Sequence, residues 1–209
     1  MDIRQAVIQF LILAPPFLFA LTLHELAHGW TAWRLGDPTA KNDGRLTLNP
    51  IKHLDLFGAL LFIFAHIGWA KPVPVNPSYF KNPRKGMLLV ALAGPGANLL
   101  LAVGSALLFR LLLELRMPSP FLLSLLEPLA QMLLASVWIN IMLAVFNCLP
   151  IPPLDGSKVL AGLLPPDAAR SYARMEPYGI FLLFILFYSD IISKVITPLI
   201  QTVSGLLLG

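Results

Sequence analysis

His24 and His28 stand four residues apart in an apolar run that begins at Ala6. On an α-helix they share one face, about one turn apart. Glu25 falls roughly 100° round from His24 and roughly 60° from His28 at 3.6 residues per turn. Two imidazoles so placed can bind a metal ion, and a carboxylate beside them can take a proton from a water held by that ion. His-Glu-x-x-His is the spacing that zinc peptidases use for this chemistry. The bland alternative is two hydrogen-bonded core histidines and a buried glutamate. It has little to recommend it, because ionisable groups in an apolar helix are costly unless they are paired or functional.

The elements that must hold these groups belong to a membrane protein. Of 209 residues 57% are hydrophobic and only 12% are charged, about half the charged share of a soluble domain. Mean hydropathy is +0.76. No hydrophilic stretch is long enough for a separate soluble domain, so residues 1–209 read as one membrane domain. The net charge of +4 is too small and scattered for nucleic-acid binding. It fits basic loops facing a cytoplasm. The single cysteine, Cys148, excludes an internal disulfide and a Cys-rich zinc site.

The periodicity and hydropathy predict an all-α polytopic chain with about four transmembrane helices. The first runs from Ala6 to about Trp33, passes Pro15-Pro16, and is expected to be retained rather than cleaved as a signal peptide, since cleavage would remove or strand His24 and His28. Met87 to about Leu113, Leu129 to Leu149, and a span beginning at Tyr178 follow. Asn140 and Asn147 lie inside the third. The course of residues 191–209 stays open. Residues 34–86 carry eight basic residues and are expected on the cytoplasmic side. Within them Gly44–Asn49 alternates like a short strand. Phe57–Ile67 is apolar but too short to span, which suggests a re-entrant or interfacial piece, and a short re-entrant or β-hairpin segment is expected between the first two spans. Lys71–Pro77 is held extended by its prolines.

A catalytic zinc takes three protein ligands and keeps a position for water. His53, His66, Asp37, Asp43, Asp55, Glu114, Glu127 and Asp155 are the candidates for the third. The first and third spans both run inward, so Asp155 lies at the same membrane side as His24 and His28. Glu114 and Glu127 lie at the other. Asp37 and Asp43 read as turn residues. Asp155 is favoured, with His53 and His66 still possible and a helix N-cap as the alternative role for Asp155.

His24-Glu25-Leu26-Ala27-His28, Gly94-Pro95-Gly96-Ala97-Asn98, and Asn147-Cys148-Leu149-Pro150 followed by Leu154-Asp155-Gly156 resemble, in this order, the site-2 protease family of intramembrane zinc metalloproteases. The likeness covers roughly residues 18–162, and Gly44–Pro50 with His53 and Asp55 looks like its compact branch, which lacks a PDZ or nucleotide-sensing module. The resemblance implies one zinc per chain on His24, His28 and Asp155, with Glu25 as general base. It implies that Asn98 and Asn147 orient substrate or stabilise the oxyanion, and that His53 lies near the site. It implies transmembrane protein substrates, in a multi-pass protein of a prokaryotic cell membrane with its active site nearer the cytoplasmic face. Such a substrate must unwind before it is cut, and Gly44–Asn49 is the expected edge for pairing with it. A metal-ion transporter and a non-catalytic membrane scaffold are the rival readings. The first would scatter ionisable groups over several depths, and the second has no use for Glu25.

Overall fold

The computed structural model describes residues 2–55, 70–114 and 120–209. The principal helices are α1 (Ile3–Arg34), α2 (Thr39–Asn42), α3 (Pro83–Glu114), α4 (Pro120–Asn147), α5 (Asp155–Leu163), α6 (Pro166–Ala173), α7 (Gly179–Tyr188) and α8 (Ile191–Leu208). Among the described residues there is no β-strand, only an isolated antiparallel bridge between Leu54 and Ala70. Three helical stretches there are long and apolar enough to cross a membrane: α1, α3, and Leu126–Asn147 of α4. The 32 residues of α1 rise about 48 Å, more than the ~30 Å of a hydrocarbon core. The chain is a membrane protein.

The three long helices form the framework. Ala102 and Ala106 of α3 meet Val137 and Ile141 of α4, all four buried, and Ile200, Val203 and Leu207 of α8 pack against them. Small residues let two helix backbones approach where lipid offers no hydrophobic drive. α1 stops in a Schellman motif. Asp37 N–H donates to Ala32 O and Gly36 N–H to Trp33 O, with Gly36 at φ 107°. Arg84, near the start of α3, donates to the carbonyls of Gly162 and Leu164, tying α5 to α3.

Tyr178, where the fourth span is expected to begin, immediately precedes the short helix α7. α7 has ten residues, about 15 Å, half the apolar thickness. Asp190, at φ 56°, separates it from α8, and an aspartate tolerates that left-handed conformation better than most residues.

The Gly44–Asn49 strand does not form. Gly44 sits at φ 65°, residues 46–48 form a bend, Thr47 Oγ1 accepts from Asn49 N–H, and Asn49 Oδ1 accepts from Ile51 N–H. Local side-chain bonds of this kind compete with a ladder. Phe57–Ile67 and His66 lie outside the described residues. Lys71–Asn76 is neither helix nor strand and runs as a strap beside α1.

Candidate metal centre

His24 and His28 are buried on α1, and α3 passes directly beneath them at Gly94. A Cβ at Gly94 would lie 2.4 Å from His28 Nε2 and 2.6 Å from His24 Cε1, so only glycine leaves room for both rings. His28 Nδ1–H donates to the Val90 carbonyl at 2.7 Å. His24 Nδ1–H donates to Asn98 Oδ1 at 2.5 Å. Each ring therefore turns its Nε2 toward the other, 3.0 Å apart.

Asp155 completes the group from α5. Asn147 ends α4, and Pro150, Pro152 and Pro153 turn the chain. Gly156 then seats α5 against the end of α4, where a Cβ would lie 2.3 Å from the Cys148 carbonyl. Asp155 is the first residue of α5, and its side chain does not cap that helix. Its Oδ2 lies 3.1 Å from both His24 Nε2 and His28 Nε2.

These three donor atoms form a triangle with edges of 3.0–3.1 Å, within reach of one ion at the ~2.0–2.2 Å of Zn–N and Zn–O bonds. Among the described residues Asp155 Oδ2, fully buried, has no hydrogen-bond partner, an arrangement that is costly unless a cation occupies the triangle. Two imidazoles and a carboxylate suit zinc. Among the described residues this is the one group of three metal-ligating side chains.

Glu25 is buried one residue along from His24, and its Oε2 accepts the backbone N–H of Val73 at 3.0 Å. The strap that carries Val73 is clipped at both ends. Lys71 N–H donates to the His53 carbonyl at 2.9 Å, Arg45 Nη2 donates to the Lys71 carbonyl at 2.6 Å, and Asn76 N–H donates to Asp37 Oδ2 at 2.7 Å.

The remaining candidates fall elsewhere. His53 is fully buried and donates from Nε2 to the Thr47 carbonyl at 2.9 Å, outside the metal-ligating group. Its backbone, not its ring, connects it to the strap. Asp37 also caps Thr39, Asp43 is exposed, and Glu127 accepts from Gln131 at the exposed start of α4. Asn147 donates to the Leu143 carbonyl one turn back, at 2.9 Å. Asn98 is at 0% exposure, and its two amide protons go to Ala20 O at 3.2 Å and Asn140 Oδ1 at 2.8 Å. As placed, Asn98 has no proton left for a substrate carbonyl. Its Oδ1 faces His24 Nδ1. Two contributors carried little sequence signal: the Val73 amide, which is main chain, and Asn140, one of several amides in an apolar span with nothing to say which partner each would meet.

The description "Peptidase family M50" matches residues 122–187, which contain Asp155. The chain is 43% identical over 187 residues to "Putative zinc metalloprotease YwhC" of Bacillus subtilis (strain 168), covering 88% of this chain and 83% of that one. It is 30% identical over 194 residues to "Putative zinc metalloprotease Rip2" of Mycolicibacterium smegmatis, covering 88% of this chain and 70% of that one. A Rip2 of the same description from Mycobacterium tuberculosis (strain H37Rv) is 33% identical over 188 residues, covering 85% and 67%. No solved structure matches. The chain belongs to peptidase family M50, the site-2 protease family. Family membership and the donor set together make zinc its cofactor.

Proposed function

We propose that the chain is an intramembrane zinc metalloprotease, of the kind that serves regulated intramembrane proteolysis, which hydrolyses peptide bonds within or beside transmembrane segments of membrane proteins. The observation that carries this reading is the triangle of His24 Nε2, His28 Nε2 and Asp155 Oδ2, built on a helix long enough to cross a membrane, with the Glu25 carboxylate one residue away. His24, His28 and Asp155 hold the zinc. When bound, zinc lowers the pKa of a water to about 7 and polarises a carbonyl.

Glu25 takes the proton from the attacking water and returns it to the leaving amine. The Val73 N–H aims the Glu25 carboxylate and steadies its charge. Asn98 and Val90 keep the two imidazoles turned toward the ion. Among the described residues Asn147 bonds its own helix alone, which leaves it the better of the two asparagines for a contact with substrate. The eight basic residues of 34–86 favour a multi-pass orientation with the site nearer the cytoplasmic face of the cell membrane.

A substrate helix must open at the scissile bond, because its carbonyls are tied into their own ladder and its exposed backbone is costly in lipid. Gly-Pro near that bond lowers the cost of breaking the helix. The test is cleavage by the purified chain in detergent of two single-span substrates, one poly-Leu and one with a central Gly-Pro. Cleavage of the second faster than the first, blocked by a zinc chelator and recovered with added zinc, supports the proposal. Equal rates contradict unwinding, and metal flux into sealed vesicles holding the reconstituted chain, without cleavage, replaces the protease with a transporter.

A further inference from the structure

His24 and His28 are oriented by different means. His28 Nδ1 faces a backbone carbonyl, Val90 O, which can only accept, so its proton must lie on Nδ1 and its lone pair on Nε2. His24 Nδ1 faces an amide side chain, Asn98. An amide turned by 180° would present Nδ2 instead of Oδ1 and reverse the demand on the ring. Something must fix which way Asn98 points.

We infer that Asn140, through Asn98, sets the tautomer of His24 and so presents its Nε2 lone pair to the metal. The relay starts on α4. Asn140 Nδ2 donates to the Ser136 carbonyl at 2.8 Å, an acceptor that cannot reverse. Asn140 Oδ1 must then face Asn98, whose Nδ2 donates to it at 2.8 Å. The second Nδ2 proton of Asn98 goes to another backbone carbonyl, Ala20 on α1, at 3.2 Å. Asn98 Oδ1 is left facing His24, which has to donate to it from Nδ1. Two obligate acceptors, Ser136 O and Ala20 O, thus determine the polarity of every bond between them and the metal centre. Ser136 Oγ, which also accepts from Asn140 at 3.2 Å, pairs with Ser105 Oγ at 2.8 Å and ties the far end of the relay back to α3.

Asn98 and Asn140 are at 0% and 1% exposure, so water does not compete for these bonds. A chain of polar groups in an apolar bundle is costly if only partly satisfied and specific if complete. Asn140 is therefore a positioning residue: it touches neither ion nor substrate and acts by fixing Asn98.

The inference rests on the metalloprotease reading, and two substitutions separate it from mere packing. Asn140→Leu keeps similar bulk and suits an apolar helix but removes the acceptor for Asn98. Asn140→Asp gives up the bond to the Ser136 carbonyl, but with an acceptor oxygen in either orientation it still receives the Asn98 Nδ2 proton, and it adds a charge that packing would resist. Zinc affinity is measured by chelator competition, with the visible spectrum of the cobalt-loaded protein and helix content beside it. Loss of an outer hydrogen-bond partner typically weakens a metal about 10–100-fold. Expected for Asn140→Leu are full helix content, zinc weaker by that factor, and an altered cobalt spectrum. Asn140→Asp is expected to stay within a few-fold of wild type in affinity. Wild-type zinc affinity and cobalt spectrum in Asn140→Leu would overturn the relay. So would a folded Asn140→Asp that binds zinc no better than Asn140→Leu. If Asn140→Leu is not recovered folded, Asn140→Asp decides alone: near-normal zinc supports the relay, and weak or absent zinc overturns it. A wild-type chain that binds no zinc would overturn the relay together with the reading on which it rests.

Discussion

The backbone N–H of Val73 points at Glu25 Oε2 across 3.0 Å, joining the strap of residues 71–76 to the carboxylate beside the metal-binding histidines. Val73 stands between Pro72 and Pro74, which have no N–H, so in that stretch of three residues it offers the one main-chain donor. Val73→Pro removes the donor. A hydrogen bond to a charged group contributes about 1.5–3 kcal/mol, so kcat should fall ~10–100-fold while zinc content holds. Val73→Ala keeps the donor and should stay near wild type. Zinc analysis beside the cleavage rate checks both.

Gly94→Ala should cost the metal and spare the helix. Alanine is favoured over glycine within a helix by about 1 kcal/mol, but its Cβ would lie 2.4 Å from His28 Nε2. The expected outcome is unchanged helix content with zinc lost from the purified protein. A fully loaded variant would mean that the two rings sit elsewhere.

Asp155→Ala and His53→Ala separate a ligand from a loop residue. Asp155 Oδ2 is within 3.1 Å of both imidazoles, whereas His53 bonds the Thr47 carbonyl. Zinc affinity in Asp155→Ala should fall by more than the ~10–100-fold typical of losing an outer partner. His53→Ala should keep its zinc and lose stability. The opposite pattern, by metal analysis and thermal unfolding, would exchange their roles.

Residues 34–86 should face the cytoplasm. In a Cys148→Ser background, single cysteines replacing Lys41 or Lys81, both exposed, should resist an impermeant thiol reagent in intact cells and react after lysis. Labelling from outside would place the metal centre at the opposite face.

The parts of the centre set by spacing on one helix, or by motif order, could be read from the sequence. His24, Glu25 and His28 share α1, and Asp155 follows the prolines that end α4. Asn98 was legible as a site-associated residue, but its partner was not, because nothing in its own span says which element meets it. The strand expected at Gly44–Asn49 failed because alternation alone does not reveal that Thr47 and Asn49 satisfy nearby backbone with their own side chains. Hydropathy does not show the break at Ser189-Asp190, where α7 gives way to α8. Val73 could not be found by side-chain reasoning, since its contribution to Glu25 is main chain.

Glu25→Gln tests the central claim most directly, with zinc content and cleavage of a Gly-Pro-bearing single-span substrate measured on the same preparation. The three ligands are untouched, and glutamine can still accept the Val73 N–H, so only the base is removed. Expected is full zinc with cleavage reduced by the ~10²–10⁴-fold that general-base catalysis supplies. Full zinc with cleavage near the wild-type rate would contradict the assignment of Glu25 as the base.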